Sequence, residues 1–116
     1  MIRVSIPGRF PTLNQYRNWN HWQHSKQKNT FSESIELALI AFKVKDVSIP
    51  MILNVTAYTT RMRDVDNCVI AAKYFLDVLK KQGLIPDDNP KYVKSLILQW
   101  KKAKSFKDEK TVFIIQ

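Results

Sequence analysis

Half of the ten acidic residues in this 116-residue chain fall between positions 64 and 88: Asp64, Asp66, Asp77, Asp87 and Asp88. Neighbouring carboxylates repel one another unless a cation, a proton or a basic group compensates. Asp64 and Asp66 lie between a predicted strand and a predicted helix. On an extended segment residues i and i+2 project to the same side, so both carboxylates can address one spot. Asp66 is equally placed to cap the following helix. Asp87 and Asp88, between Pro86 and Pro90, equally suit a turn. No histidine stands near these carboxylates, so an ion they hold is a hard one bound through oxygen, Mg²⁺ before Zn²⁺. In a basic protein such an ion can polarise a phosphodiester, generate a hydroxide nucleophile and stabilise the leaving 3′-oxygen. An Asp-x-Asp pair also serves phosphotransferases that use the first aspartate as nucleophile; those sites belong to larger chains, and this one is short and basic for the role.

The charge balance points the same way. Nineteen Lys and Arg against ten Asp and Glu give a net charge of +9. That excess suits a polyanionic partner, nucleic acid or an anionic membrane surface. No apolar run approaches the roughly 20 residues of a membrane span, and the opening MIRVSIPGRF lacks the apolar stretch of a secretory signal. The expectation is a cytoplasmic protein with nucleic acid as partner and no membrane. A hydrophobic content of 45% and a charged content of 25% fit one folded domain over residues 1–116. A lone Cys68 and two glycines exclude disulfide-stapled, Cys-ligated zinc and collagen-like classes.

Arg9, Arg17, His21, His24, Lys26 and Lys28 crowd the segment 9–30, interleaved with Tyr16, Trp19 and Trp22. Basic residues with aromatics can hold a phosphate backbone and stack on unpaired bases. The same segment also reads as an irregular loop packed on the core by its tryptophans. A second basic population, from Lys91 to Lys110, reads as solvated lysines on an edge strand and hairpin.

These residues need elements to position them. MIRVSI reads as a strand ended by Pro7-Gly8. Thr30 and Glu33 have capping-box spacing for a helix holding Ile35, Leu37, Ala38, Leu39 and Phe42. MILNVTAYTT reads as a strand, a second helix follows Asp66 and ends near Gly83, Tyr92 to Lys101 reads as a strand, and TVFIIQ as the last one. AKSFKDEK between the last two reads as a hairpin loop. The order β-α-β-α-β-β makes an α/β domain, a small mixed sheet with two main helices. In the second helix Cys68, Val69, Ala72, Phe75, Leu76 and Leu79 share the expected core face, and Asp66, Ile70, Lys73, Asp77, Lys80 and Lys81 the opposite one. Lys73, two turns from Asp66, can reach toward the carboxylates or meet a phosphate, although a solvated lysine is the usual occupant of such a face. Ile70 and Tyr74 interrupt that face and mark it as a candidate contact with another subunit.

The run Arg63-Asp64-Val65-Asp66-Asn67, a helix with Lys73 and Leu76-Asp77-Val78-Leu79, then Gly83 through Asp87-Asp88, resembles the RusA family of Holliday-junction resolvases. The match is ordered from about Arg61 to Val93. Pro11-Thr12-Leu13-Asn14-Gln15-Tyr16 is similar to the family's N-terminal P-x-x-N-x-Y segment. The resemblance implies a RusA-like fold and a homodimeric Mg²⁺-dependent endonuclease of DNA recombination and repair, often prophage-encoded, that resolves four-way or branched DNA by paired symmetric nicks. It implies one or two Mg²⁺ per protomer and no organic cofactor. By position, Asp64, Asp66 and Asp88 match the three metal-site aspartates, Asp87 the first of the acidic pair, and Asp77 a structural position. Lys73 is the expected catalytic lysine. Arg61, Arg63, Asn14, Arg9, Arg17, Lys26 and Lys28 are the expected DNA contacts. One departure stands out: the best-known member carries its lysine where this chain has Ile70, and other members carry it where Lys73 stands, nearly one helical turn on and expected on the same face. If Lys73 does not substitute, the alternative is a catalytically weak or silent branched-DNA-binding protein.

Overall fold

Two polar side chains start the N-terminal helices. Thr12 and Asn20 each accept a hydrogen bond from the backbone N–H three residues on, and the side-chain oxygens of Gln15 and Gln23 accept one from the capping residue's N–H. In the computed structural model, which describes all of residues 1–116, these capping boxes open α1 (Leu13–Asn18) and α2 (His21–Ala41). The strands are β1 (Ile2–Pro7), β2 (Met51–Thr59), β3 (Val93–Lys102) and β4 (Lys110–Ile115), and α3 spans Cys68–Lys81. Short 3₁₀ turns at Val65–Asn67 and Phe106–Asp108 complete the order.

The α/β class, the mixed sheet and the order of strands hold as expected. Three local expectations change. Segment 9–30 is not an irregular loop: it forms α1 and the first half of α2. Thr30 starts no helix; it lies inside α2, where its hydroxyl donates to the Lys26 carbonyl. The connection between β3 and β4 is not a hairpin, because the sheet order is β1-β4-β2-β3. β4 inserts between β1 and β2, antiparallel to both, while β2 and β3 run parallel. The physical reason lies in the residues: Thr111, Val112, Phe113 and Ile115 are all buried, as a central strand requires, whereas the lysine-bearing β3 tolerates the edge.

The helices cover one face of the sheet. Val4, Ile6, Leu53, Val55, Phe113 and Ile115 project from it into a core of 19 buried residues. Phe75 of α3 stacks on Phe113 of β4 at 4.1 Å between ring centroids. α3 is buried on a wider arc than its apolar periodicity predicts. Ile70 is 3% exposed and Tyr74 2%, because α2 packs along the flank expected to face solvent and Phe31 of α2 stacks on Tyr74. Neither residue is a surface contact for another subunit. No helix is long and apolar enough to cross a membrane.

Candidate functional site

β2 ends at Thr59, and the chain turns through Arg61-Met62-Arg63-Asp64 into the 3₁₀ turn before α3. Two bonds fix this turn. The Asn67 side-chain carbonyl accepts from the Leu13 N–H at 2.9 Å, tying α1 to the head of α3. The Cys68 thiol donates to the Gln99 carbonyl at 3.4 Å, tying the turn to β3. Burial pushes that thiol's pKa up, which keeps it protonated and structural. Asp64 and Asp66 are exposed and make neither a side-chain hydrogen bond nor an ion pair. Asp66 does not cap α3: the capping position belongs to Asn67, which makes no side-chain cap bond.

Three arginines converge beside these aspartates on a groove of about 540 Å³ between α1, α2 and the β2–α3 turn. Arg9 is not a free phosphate contact. Its Nε and Nη2 each donate to the Glu109 carboxylate at 2.7 Å. Thr60 adds its N–H at 2.8 Å and its hydroxyl at 3.0 Å. These donors, Arg9 first, hold the buried Glu109 carboxyl down at about 2, and the Glu109 carboxylate in turn raises the Arg9 pKa. Arg63 donates weakly to the Phe10 carbonyl at 3.4 Å, and burial, then the Arg9 charge, lowers its pKa. Arg61 is exposed and without a side-chain partner. The Arg9–Glu109 pair went unread in the sequence. Its only signal is a glutamate directly before an apolar strand in a lysine-rich stretch.

The second acidic pair lies elsewhere. Asp87 is paired with Lys80, on the last turn of α3, at 3.3 Å. Its pKa is lowered first by the Asp88 N–H that it accepts, with Lys80 adding to the effect. Asp88 stands five residues before β3 begins at Val93, the partner of Met51 at the start of β2. Asp64 and Asp66 follow the other end of β2. The two acidic pairs are therefore separated by the length of α3, about 20 Å at 1.5 Å per residue. One chain does not bring Asp88 to Asp64 and Asp66, and no group of three His, Cys, Asp or Glu side chains within it is placed to hold a metal ion. The parallel β2–α3–β3 crossover is the cause: it returns the chain to the end of the sheet where β2 began. By donor chemistry the turn still suits Mg²⁺, which commonly takes one or two carboxylates plus waters and phosphate oxygens.

Lys73 is exposed on α3, with its Nζ 5.9 Å from the centre of the Tyr16 ring. It does not share a face with Ile70, which belongs to the core. Asn14 and Arg17 are exposed on α1, and Lys26 and Lys28 on α2. His24 packs edge-on against Tyr16 and Trp19, while Trp22 is 79% exposed.

Compared with protein-family models and with curated proteins, the chain matches none.

Proposed function

We propose that this chain is a Mg²⁺-dependent endonuclease that cuts four-way or related branched DNA as a homodimer. The observation that carries the reading is that Asp64 and Asp66, two positions apart at the head of α3, are exposed and have no cationic partner although Arg61 and Arg63 directly precede them in a chain of net charge +9. Carboxylates left unpaired in such surroundings are available to a divalent ion. Bound there, Mg²⁺ would supply Lewis-acid activation of water and of the scissile phosphate. Asp64 and Asp66 hold the ion. Arg61 and Arg63 hold the phosphates on either side of the cut, and Lys73, about 10 Å along α3 from Asp66, meets the charge that develops on the phosphoryl oxygens. Most of the affinity comes from phosphate contacts and falls steeply with salt.

The third aspartate comes from the second chain. β3 is a ten-residue edge strand whose middle exposes Leu96 (40%) and Ile97 (42%) between lysines. An unpaired edge of that length is a template for pairing. Two copies of β3 running antiparallel about a two-fold axis near Ile97 would set each chain's Asp87-Asp88 turn at the end where its partner carries Asp64 and Asp66. The arrangement is isologous and yields two equivalent sites, as paired nicks require.

A nicking assay tests the reading. With Mg²⁺ the protein should cut a synthetic four-way junction symmetrically, leave linear duplex intact, and stop when the metal is chelated. Asp66→Asn should keep junction binding and lose at least 100-fold in cleavage. Tight junction binding without nicks at any Mg²⁺ concentration would leave a silent branched-DNA binder. The separation of Asp88 from Asp64 within a protomer, and the buried Ile70 at the lysine position of the best-known resolvase, favour that second reading wherever the dimer does not form.

A further inference from the structure

We infer that the groove between α1, α2 and the β2–α3 turn receives one unpaired nucleotide of the bound DNA, its base against Trp19 and its phosphate on Arg61 and Arg63. The inference rests on the nucleic-acid reading above and adds what the protein recognises: a base out of the stack next to the cut. At about 540 Å³ the groove falls within the ordinary range of small-ligand sites.

Its lining is mixed in a way that suits a nucleotide. Trp19 and Phe31 supply aromatic surface, Gln27 an amide, and Arg9, Arg61 and Arg63 the cations. Of the three guanidinium groups only Arg9 is neutralised, by Glu109, so two positive charges remain for an anion. The Trp19 ring is braced by Tyr16, 6.1 Å away between centroids, and by His24 at 5.7 Å. It therefore keeps its place before a ligand arrives, which limits the ordering cost of binding. Gln27 is half-buried and has no side-chain hydrogen-bond partner. Its amide both donates and accepts, as the edge of a base requires. In duplex DNA the base faces are stacked on their neighbours. Aromatic surface and an amide become useful together only once a base has left the stack. The chain places this groove directly before Asp64, so a nucleotide held on Arg61 and Arg63 brings its next phosphodiester to the aspartates.

The test is a binding measurement without Mg²⁺, which separates this inference from the nuclease reading. A short single strand with 2-aminopurine at one position, the same strand in a duplex, and dAMP are the probes. Wild-type protein should change the 2-aminopurine emission of the single strand and bind it at least ten-fold more tightly than dAMP. The paired base should show no emission change. Trp19→Ala and Gln27→Ala, checked for helix content by circular dichroism, should each remove most of the emission change and weaken single-strand binding by about ten-fold while leaving duplex affinity within two-fold. Gln27→Ala keeps a good helix former at an α2 position, so it serves if Trp19→Ala misfolds. An unchanged signal in Gln27→Ala, or dAMP bound as tightly as the strand, would overturn the inference. Junction cleavage intact without the emission change removes the groove alone; base capture without cleavage removes the nuclease alone.

Discussion

Glu109 is the only buried acidic side chain of the molecule, and four hydrogen bonds from Arg9 and Thr60 reach it. Its carboxyl is held at about 2 against an ordinary 4.5. A depressed carboxylate stabilises the fold fully above its unfolded pKa, and that contribution is lost as pH falls through the folded value. Thermal melts should therefore show wild-type stability falling between pH 4.5 and 2. Glu109→Gln should melt lower at pH 7 and fall less steeply over the same interval, since its neutral amide leaves Arg9 unpaired at every pH. A variant whose melts parallel the wild type would remove this role. Tyr74 is the opposite case. Its hydroxyl is buried without a partner, and burial raises its pKa to about 12. Tyr74→Phe should leave stability unchanged or raise it by about 1 kcal/mol in a denaturant titration, since an unsatisfied buried donor is removed and the ring packing stays. These two residues also mark what a sequence reading reaches at this scale. Asp64 and Asp66 were legible as candidates from the strand-to-helix break, a local signal, but the extended alternation expected to align them is absent, since Asp66 lies in the 3₁₀ turn Val65–Asn67. The Arg9–Glu109 bond spans 100 positions, and only the folded sheet brings its partners together.

At the scale of elements, α2 and β4 carry the lesson. The first half of α2 projects into solvent, with Trp22 exposed and few apolar residues turned inward, so it has no apolar period to read. Its start is set by the Asn20 capping box instead. Asn20→Ala should cost about 1 kcal/mol in urea unfolding; no change would show that packing alone defines the helix end. β4 was legible as a strand from its apolar run, but its place between β1 and β2 depends on partners more than 50 residues away. α3 shows the limit of a single helical period. Its apolar stripe predicts the face against the sheet, while α2 covers a second flank and takes Ile70 and Tyr74 into the core. This has a consequence for catalysis. Ile70→Lys, which would put a lysine where the best-known resolvase has one, should destabilise the fold by roughly 3–5 kcal/mol, the cost of an uncompensated buried charge. It should not raise cleavage. A stable and more active Ile70→Lys variant would show that position 70 opens to the DNA.

The whole molecule sets the condition that no single element reveals. One chain holds its two acidic pairs at opposite ends of α3, and its long edge strand is open between them. If the pairs act together, they do so across a two-fold axis. Leu96→Lys with Ile97→Lys should leave a folded monomer by sedimentation and abolish junction cleavage, while single-strand binding in the Trp19 groove persists. The most direct measurement mixes two inactive variants. Asp66→Asn and Asp88→Asn are each prepared, assayed alone, then combined at equal concentration, exchanged, and assayed on a four-way junction with Mg²⁺. If each site joins Asp64 and Asp66 of one chain to Asp88 of the other, a mixed dimer keeps one site with every aspartate intact. Nicking then returns in the mixture, with about half of the dimers mixed under random exchange, and as cuts on one strand of a junction rather than two. A mixture as inactive as its components, from a wild type that cuts, would contradict the shared site and place all the aspartates of each centre within one chain.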